Sequence, residues 1–371
     1  MEDEAIKNTK RLRNKVKTLL KKPQYAQRTP EWFKQRQTRV TASEAASCLF
    51  KSKNVCETYA KEFNISNFKY KEHEPLNPYE TKEDYIIKKC SAFYGVAVFK
   101  DNPFTLWGKK YEDVANRIYQ RLTNTVVKEF GLISHSRLRW VAASPDGITE
   151  DGVMLEIKCP KSRKIDESAP PLYYWVQTQI QLEVCDLDYC DFLECEIEEV
   201  QNEQEFKQIV LGPKQDFGII LQIANSGPDP KFVYPPLHLN TTDEYIVWKN
   251  ACLESDPTAF IPIYFYITKY NVIRIKRSKE WFDNVKSDIK STWEIITKLQ
   301  ANKSDFEKYK ESIHLLKSKA FIEKWHTTEC MIHSNDESDM VFDSEAPVPS
   351  VVESERENAS KLCLIDSSDE F

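Results

Sequence analysis

The 371-residue chain is 41% hydrophobic and 12% aromatic, enough for a sizeable core and too apolar for a disordered protein. Its formal net charge is −6, yet residues Asn335 to Phe371 carry 11 acidic against 2 basic residues, so the remainder is about +3 and compatible with nucleic-acid binding. Eight glycines without a glycine-rich phosphate loop argue against nucleotide-triphosphate chemistry, and no apolar run reaches the roughly 18 residues of a membrane span or forms a signal core, so neither a span nor classical secretion is expected.

In chain order, residues 1–27 form a basic arm, expected to be helical, bearing Lys7, Lys10, Arg11, Arg13, Lys15, Lys17, Lys21 and Lys22. Such a run is a phosphate-contacting helix, a nuclear-targeting patch or a solvated face, the last being the commonest reading. Thr29-Pro30-Glu31-Trp32 supplies a cap, a proline at the first helical position and an acidic first turn. Thr41-Ala42-Ser43-Glu44 opens a second helix with the spacing of a capping box. Tyr111, Val114, Ala115, Ile118 and Leu122 repeat at helical spacing, with Glu112 at the border of that stripe.

The strand near Leu138 to Ala143 runs into Ser144-Pro145-Asp146-Gly147 and, through an Asp151-Gly152 turn, is expected to fold against the strand Val153 to Lys158. Alternation along that strand places Glu156 and Lys158 on one face and Ile157 in the core. Asp146, Glu156 and Lys158 can therefore converge, and two carboxylates with an ammonium suit a hard divalent cation and a water nucleophile. Charged residues beside a hairpin turn are more often a solvated face, so the neighbouring segments decide. Pro170-Pro171 can open a helix carrying Tyr173, Tyr174, Gln177 and Gln181, the two glutamines sharing a face while Gln179 points away.

Beyond it, residues 201–260 read as an insertion with strands at Gly218 to Ile223 and Lys231 to Tyr234. Arg274, Lys276 and Arg277 on a late strand are a modest DNA-tracking candidate, residues 280–326 are charged, aromatic-studded helix, and 335–371 an acidic tail of disordered composition. Its end, from Leu362 to Phe371, is a candidate partner-binding peptide. The ten cysteines show no CxxC pair and no zinc-finger spacing; Cys185, Cys190 and Cys195 recur in five-residue steps that alternate faces on a strand, and free thiols in a reducing compartment are expected.

Five blocks in order then carry a resemblance. They are Trp32, Arg36 and Thr41 to Ser43; Trp107 to Glu112; Ser144 to Gly147; Glu156 to Pro160; and Tyr174 to Gln179. The chain resembles the lambda-exonuclease-like, YqaJ-type viral recombinase family of PD-(D/E)XK nucleases, well over about 28–200 and more loosely to about 300. Later segments look like the versions carried by large nucleocytoplasmic DNA viruses. The resemblance implies an α/β fold, a restriction-endonuclease-like core with a mixed central sheet flanked by helices and a C-terminal extension. Residues 28–300 would be the nuclease domain, 301–334 a helical extension and 335–371 the tail.

By that resemblance Asp146 and Glu156 are core metal ligands with the Ile157 carbonyl, and Glu112 completes the metal site. Lys158 positions the attacking water, Gln177 orients groups in the site, and Arg36 with Ser43 grips a 5′-phosphate. The implied cofactor is Mg²⁺, with Mn²⁺ an alternative, as one or two ions. An iron–sulfur cluster, carried by some relatives on four cysteines, is the less fitting alternative for these thiols. The implied activity is a DNA exonuclease acting 5′→3′ on one strand of linear duplex DNA and leaving 3′ tails for viral recombination or repair. Its partners would be double-stranded DNA ends, a single-strand annealing protein and further copies of the chain, a trimer in the family, in the host cytoplasm (a viral factory) or nucleus. Two rival readings stay open here: a structure- or site-specific PD-(D/E)XK endonuclease, and a non-catalytic DNA-binding scaffold. General chemistry agrees with a metal site: magnesium keeps several waters and needs few carboxylates, and a helix start with an arginine is a ready phosphate site.

Overall fold

The structure, a computed structural model, describes residues 2–96, 102–209, 216–227 and 230–333. The acidic tail 335–371 and its terminal peptide lie outside these residues. Helices α1 (Glu2–Leu20) and α2 (Pro30–Gln37) are followed by strand β1 (Val40–Thr41) and a 3-10 helix over Ala42–Cys48. Next come α3 (Lys53–Glu62), α4 (Lys82–Phe93) and α5 (Pro103–Thr123), then β2 (Val127–Lys128), β3 (Ile133–Ser134), β4 (Val141–Ala143), β5 (Gly147–Thr149) and β6 (Val153–Lys158). The chain crosses by α6 (Leu172–Cys185) to β7 (Tyr189–Val200) and continues through α7 (Glu203–Ile209), β8 (Phe217–Ile223), β9 (Phe232–Val233) and α8 (Thr242–Ser255). The long strand β10 (Phe260–Lys276) precedes α9 (Lys279–Ala301) and α10 (Lys303–His333).

The main sheet has seven strands in the order β2-β5-β6-β7-β10-β8-β9, and β1-β4-β3 form a smaller one. β6 and β7 pair in parallel, as a strand–helix–strand crossover requires, while β7 and β10 pair antiparallel. The main sheet is thus mixed and helix-flanked, the fold class expected from the sequence. Both faces are covered, and alternation sorts β6 between them. Met154 faces the core shared with α6 and α9, whereas Leu155 and Ile157 face a second core under α5, with Tyr111, Val114, Ala115 and Ile118. Leu122, at the end of the same sequence stripe, is instead exposed, because the stripe outruns the strands beneath α5.

Three further expectations change. β6 pairs with β5, in the register Gly147 opposite Leu155, and not with the strand ending at Ala143, which joins the smaller sheet. Pro145 has no N–H for a ladder, so the strand stops at Ala143 and restarts after Asp146. Gly147 permits the restart, since a Cβ there would lie 2.1 Å from Val127. The Asp151-Gly152 turn forms as expected, Gly152 sitting at φ +83°. The helix beginning at Ala42 is a short 3-10 turn rather than an α-helix. The basic arm is helical yet folds onto the domain: Val16 and Leu19 are buried in the main core. Strands at Gly218 to Ile223 and Lys231 to Tyr234 correspond to β8 and β9, which extend the main sheet beyond β10.

Candidate active site

The restart of the chain at Asp146 sets the geometry of the site. The Ile157 N–H donates to Asp146 Oδ2 at 2.6 Å, clamping the turn against the middle of β6. One place earlier on β6, on the opposite face toward α6, Glu156 lies almost fully buried, at 2% exposure. Both its oxygens are held by one helix. Gln177 Nε2 donates to Oε1 at 2.6 Å and Gln181 Nε2 to Oε2 at 2.7 Å, the two glutamines being one turn apart on α6. Lys158 Nζ lies 3.1 Å from Glu156 Oε1 and 4.4 Å from the centre of the Tyr174 ring. One cleft is lined by Asp146, Glu156, Ile157, Lys158 and Gln177, by Glu112 from α5, and by Arg36 and Ser43. The structure therefore brings together all eight residues singled out in the sequence.

The electrostatics of the cleft centre on Asp146. Burial, then the charges of Glu156 and Glu112, push the Asp146 carboxyl well above the usual carboxylate range; Lys158 and the Ile157 N–H only partly oppose this. Three carboxyl groups thus converge, two of them already engaged by side-chain cations, Glu156 by Lys158 and Glu112 by Arg28. Among the described residues no group of three or more His, Cys, Asp or Glu side chains is drawn together tightly enough to enclose a metal ion. The donors that converge are hard oxygens in an open cleft, and Gln177 Oε1 is a further buried oxygen without a hydrogen-bond partner. That set suits Mg²⁺ or Mn²⁺ retaining several waters and does not suit zinc, for which thiolate or imidazole would be needed. Cys159 lines the same cleft, but its thiol is pushed well above its usual range by the neighbouring Cys195 and by burial, so it stays protonated.

Arg36 and Ser43 sit at the other side of the cleft. Arg36 Nη2 lies 3.3 Å from Ser43 Oγ and 3.5 Å from Glu44 Oε1, with its guanidinium 4.5 Å from the Trp32 ring centre. Lys89 Nζ donates to Glu44 Oε2 at 2.7 Å, and all three charged side chains are buried. Two cations share one carboxylate, which leaves a buried positive excess suited to an anion. Trp32 packs in the core and donates its indole N–H to Ser144 Oγ at 2.9 Å.

The sequence missed several neighbours. Gln181 shares the face of Gln177, a signal visible in the sequence, whereas Gln179 on the other face is structural, accepting from the Ser278 N–H and donating to Lys276 O. Arg28 forms an ion pair with Glu112, and no pattern in the sequence marks it. Lys161 and Arg163, also in the cleft, follow Lys158 in a basic run that could have been read as substrate-facing. Arg163 is anchored by the buried Glu194. Arg274, in the late-strand DNA-tracking candidate, makes a two-pronged contact with Asp191 at 2.7 and 2.8 Å while more than half of its side chain stays exposed, and Arg277 is held by Glu183 and Asp186. The first ties β10 to its neighbour β7, and the second ties the end of β10 to α6. Eight cysteines, from Cys48 to Cys252, are free, and seven of them are buried.

Residues 31–188 match the model of the YqaJ-like viral recombinase domain. The chain is 28% identical over 330 residues to an uncharacterized protein of Acanthamoeba polyphaga mimivirus, covering 77% of this chain and 55% of that protein, so it spans about half the length of this curated relative. Among solved structures it is similar to an alkaline exonuclease from Laribacter hongkongensis, with a TM-score of 0.41 and 18% identity over 78% of this chain and 100% of that one. A phage related exonuclease from Haemophilus somnus matches with a TM-score of 0.40 and 12% identity over 71% of this chain and 95% of that one. Among the described residues no helix is long and apolar enough to cross a membrane.

Proposed function

We propose that this chain, which carries a YqaJ-like viral recombinase domain across residues 31–188, is a metal-dependent DNA exonuclease. Its action is 5′→3′ on one strand of linear duplex DNA, beginning at a 5′-phosphorylated end. The observation that carries this reading is the single cleft in which Glu112, Asp146, Glu156 and Lys158 lie together with Arg36 and Ser43. The first group suits hydrolysis of a phosphodiester; the second suits a terminal phosphate one step along the same strand.

In this reading Asp146, Glu156, Glu112 and the Ile157 carbonyl hold Mg²⁺, or Mn²⁺ in its place. Such an ion, when bound, neutralises charge on the phosphorus and on the leaving oxygen. Lys158, set against Glu156 and the Tyr174 face, positions the attacking water and stabilises its loss of a proton. Gln177 and Gln181 fix both oxygens of Glu156, so the carboxylate cannot rotate when the substrate arrives. Arg36 forks onto the terminal phosphate beside Ser43. The products are 3′ single-stranded tails for an annealing partner in viral recombination or repair, inside the host cell. A homo-oligomer, a trimer by resemblance, would keep the enzyme on its DNA.

The test is digestion of linear duplex DNA carrying 5′-phosphate or 5′-hydroxyl ends, beside a covalently closed circle, with Mg²⁺ and with chelator. Metal-dependent loss of the phosphorylated linear strand, with the circle intact, is expected. Cutting of the circle would replace the proposal with an endonuclease, and no cleavage of any substrate would leave a DNA-binding scaffold.

A further inference from the structure

The side chain that meets Glu112 is an arginine, and the local backbone is bent to bring it there. Arg28 stands just ahead of α2 at φ +68°, in the left-handed region that non-glycine residues seldom occupy. Its neighbour Gln27 fixes this bend in place. Gln27 Nε2 donates to the carbonyls of Phe130 at 3.0 Å and Pro145 at 3.1 Å, so the loop is tied to the turn that carries Asp146. From that position the Arg28 guanidinium contacts Glu112 Oε2 inside the cleft. Asp146 acts on it as well. Burial alone would weaken its charge, but Glu112 and then Asp146 outweigh that and hold it firmly protonated. Backbone strain that is anchored from next door and aimed at a carboxylate cluster points to a role in the cleft.

Resting on the exonuclease reading above, we infer that Arg28 is the resident counter-cation of the carboxylate cleft, competing with the divalent ion for Glu112. The side chain has room to leave, since 41% of it is exposed. Asp146, Glu156 and Glu112 face one another with Lys158 already engaged on Glu156, so without Arg28 the cluster would carry more unopposed charge. Binding of the ion therefore displaces the guanidinium toward the cleft mouth. The displaced guanidinium then faces the substrate's phosphates with five N–H donors. This arrangement makes Arg28 a positioning residue for metal loading; its removal tightens the metal site.

The experiment is Mn²⁺ binding by isothermal titration, on the full chain without DNA, comparing the wild type with Arg28→Gln, Arg28→Lys and Arg28→Gly. Arg28→Gly guards against misfolding, because glycine adopts the backbone conformation found there without steric cost. Arg28→Gln and Arg28→Gly are expected to bind Mn²⁺ about twofold to fivefold more tightly, the range of a partly exposed ion pair. Arg28→Lys should stay near the wild type. Equal or weaker binding by both neutral variants would overturn the inference and leave the metal site standing. No Mn²⁺ binding by any of the proteins would overturn the metal-site reading and this inference together. Glu112→Gln provides the cross-check: combined with Arg28→Gln it should remove the gain, and a gain that persists also overturns the competition.

Discussion

At Asp146 burial and two neighbouring carboxylates act against ionisation, while one ammonium and one backbone N–H act for it. A carboxyl whose proton is held more tightly in the folded than in the unfolded chain lowers stability as pH rises above about 4, where the unfolded chain ionises freely. Asp146→Asn keeps an acceptor for the Ile157 N–H and removes that cost. In chelator the variant should therefore melt higher than the wild type by a few degrees, at about 2–4 °C per kcal/mol. The gap should be wider at pH 8 than at pH 5, while nuclease activity drops at least about a hundredfold. A gap that closes with rising pH would contradict the account. Glu44 runs the other way. Burial by itself would raise it, but Lys89 and then Arg36 hold it down to about 2. Its contribution is present above the ordinary value near 4.5 and is lost as pH falls toward 2. Glu44→Gln strands two buried cations, so its urea midpoint at pH 7 should show a loss on the order of 3 kcal/mol, shrinking at pH 3. An unchanged midpoint at pH 7 would mean the cluster is more hydrated than it looks.

At the scale of elements, α6 and β6 form the working unit. Gln177 and Gln181 exist as a pair only because α6 is helical and lies across the face of β6 that carries Glu156. Gln181→Met leaves Glu156 Oε2 without its donor, so about 1–3 kcal/mol of stability should be lost. Turnover should fall about 10- to 100-fold, the usual effect of removing a partner that orients a metal ligand. A full-rate Gln181→Met would return this residue to structural support. The helix–strand pairing was partly legible, since Gln177 and Gln181 four apart announce a shared face. That the face meets Glu156 was not legible, because it depends on the parallel crossover from β6 to β7. The hairpin shows the same limit. Asp151-Gly152 announced the turn, but the arm that pairs with β6 was set by the Pro145 interruption and by a side chain taking over one backbone donor.

Over the whole molecule, α1 ties the N-terminal arm to the domain. Val16 and Leu19 are buried, while Arg11 and Arg13 reach Asp188 and Asp151, each at 2.7 Å, through exposed ion pairs that contribute little. Deleting residues 1–20 should therefore cost up to about 3–6 kcal/mol, the value of those two apolar side chains. Adding salt to the intact chain should leave its melting temperature nearly unchanged; a salt effect as large as the deletion would mean the arm is held by charge. Residue pattern alone determined the turn at Gly152, the helical stripe of α5 and the convergence of Asp146, Glu156 and Lys158, whereas the helix-flanked mixed sheet and the places of Glu112, Arg36 and Ser43 beside them were implied only by the five-block resemblance. It could do so because period, caps and turn dipeptides are local properties, and because these residue types follow from the chemistry of phosphate and hard cations. Only the tertiary structure decided that Arg28 meets Glu112, that Gln181 serves Glu156, that Lys89 and Arg36 share Glu44, and that Arg274 pairs with Asp191 and Arg277 with Glu183. Those pairings join residues far apart in the chain, and which charges meet is fixed by how the layers pack, which no local pattern encodes.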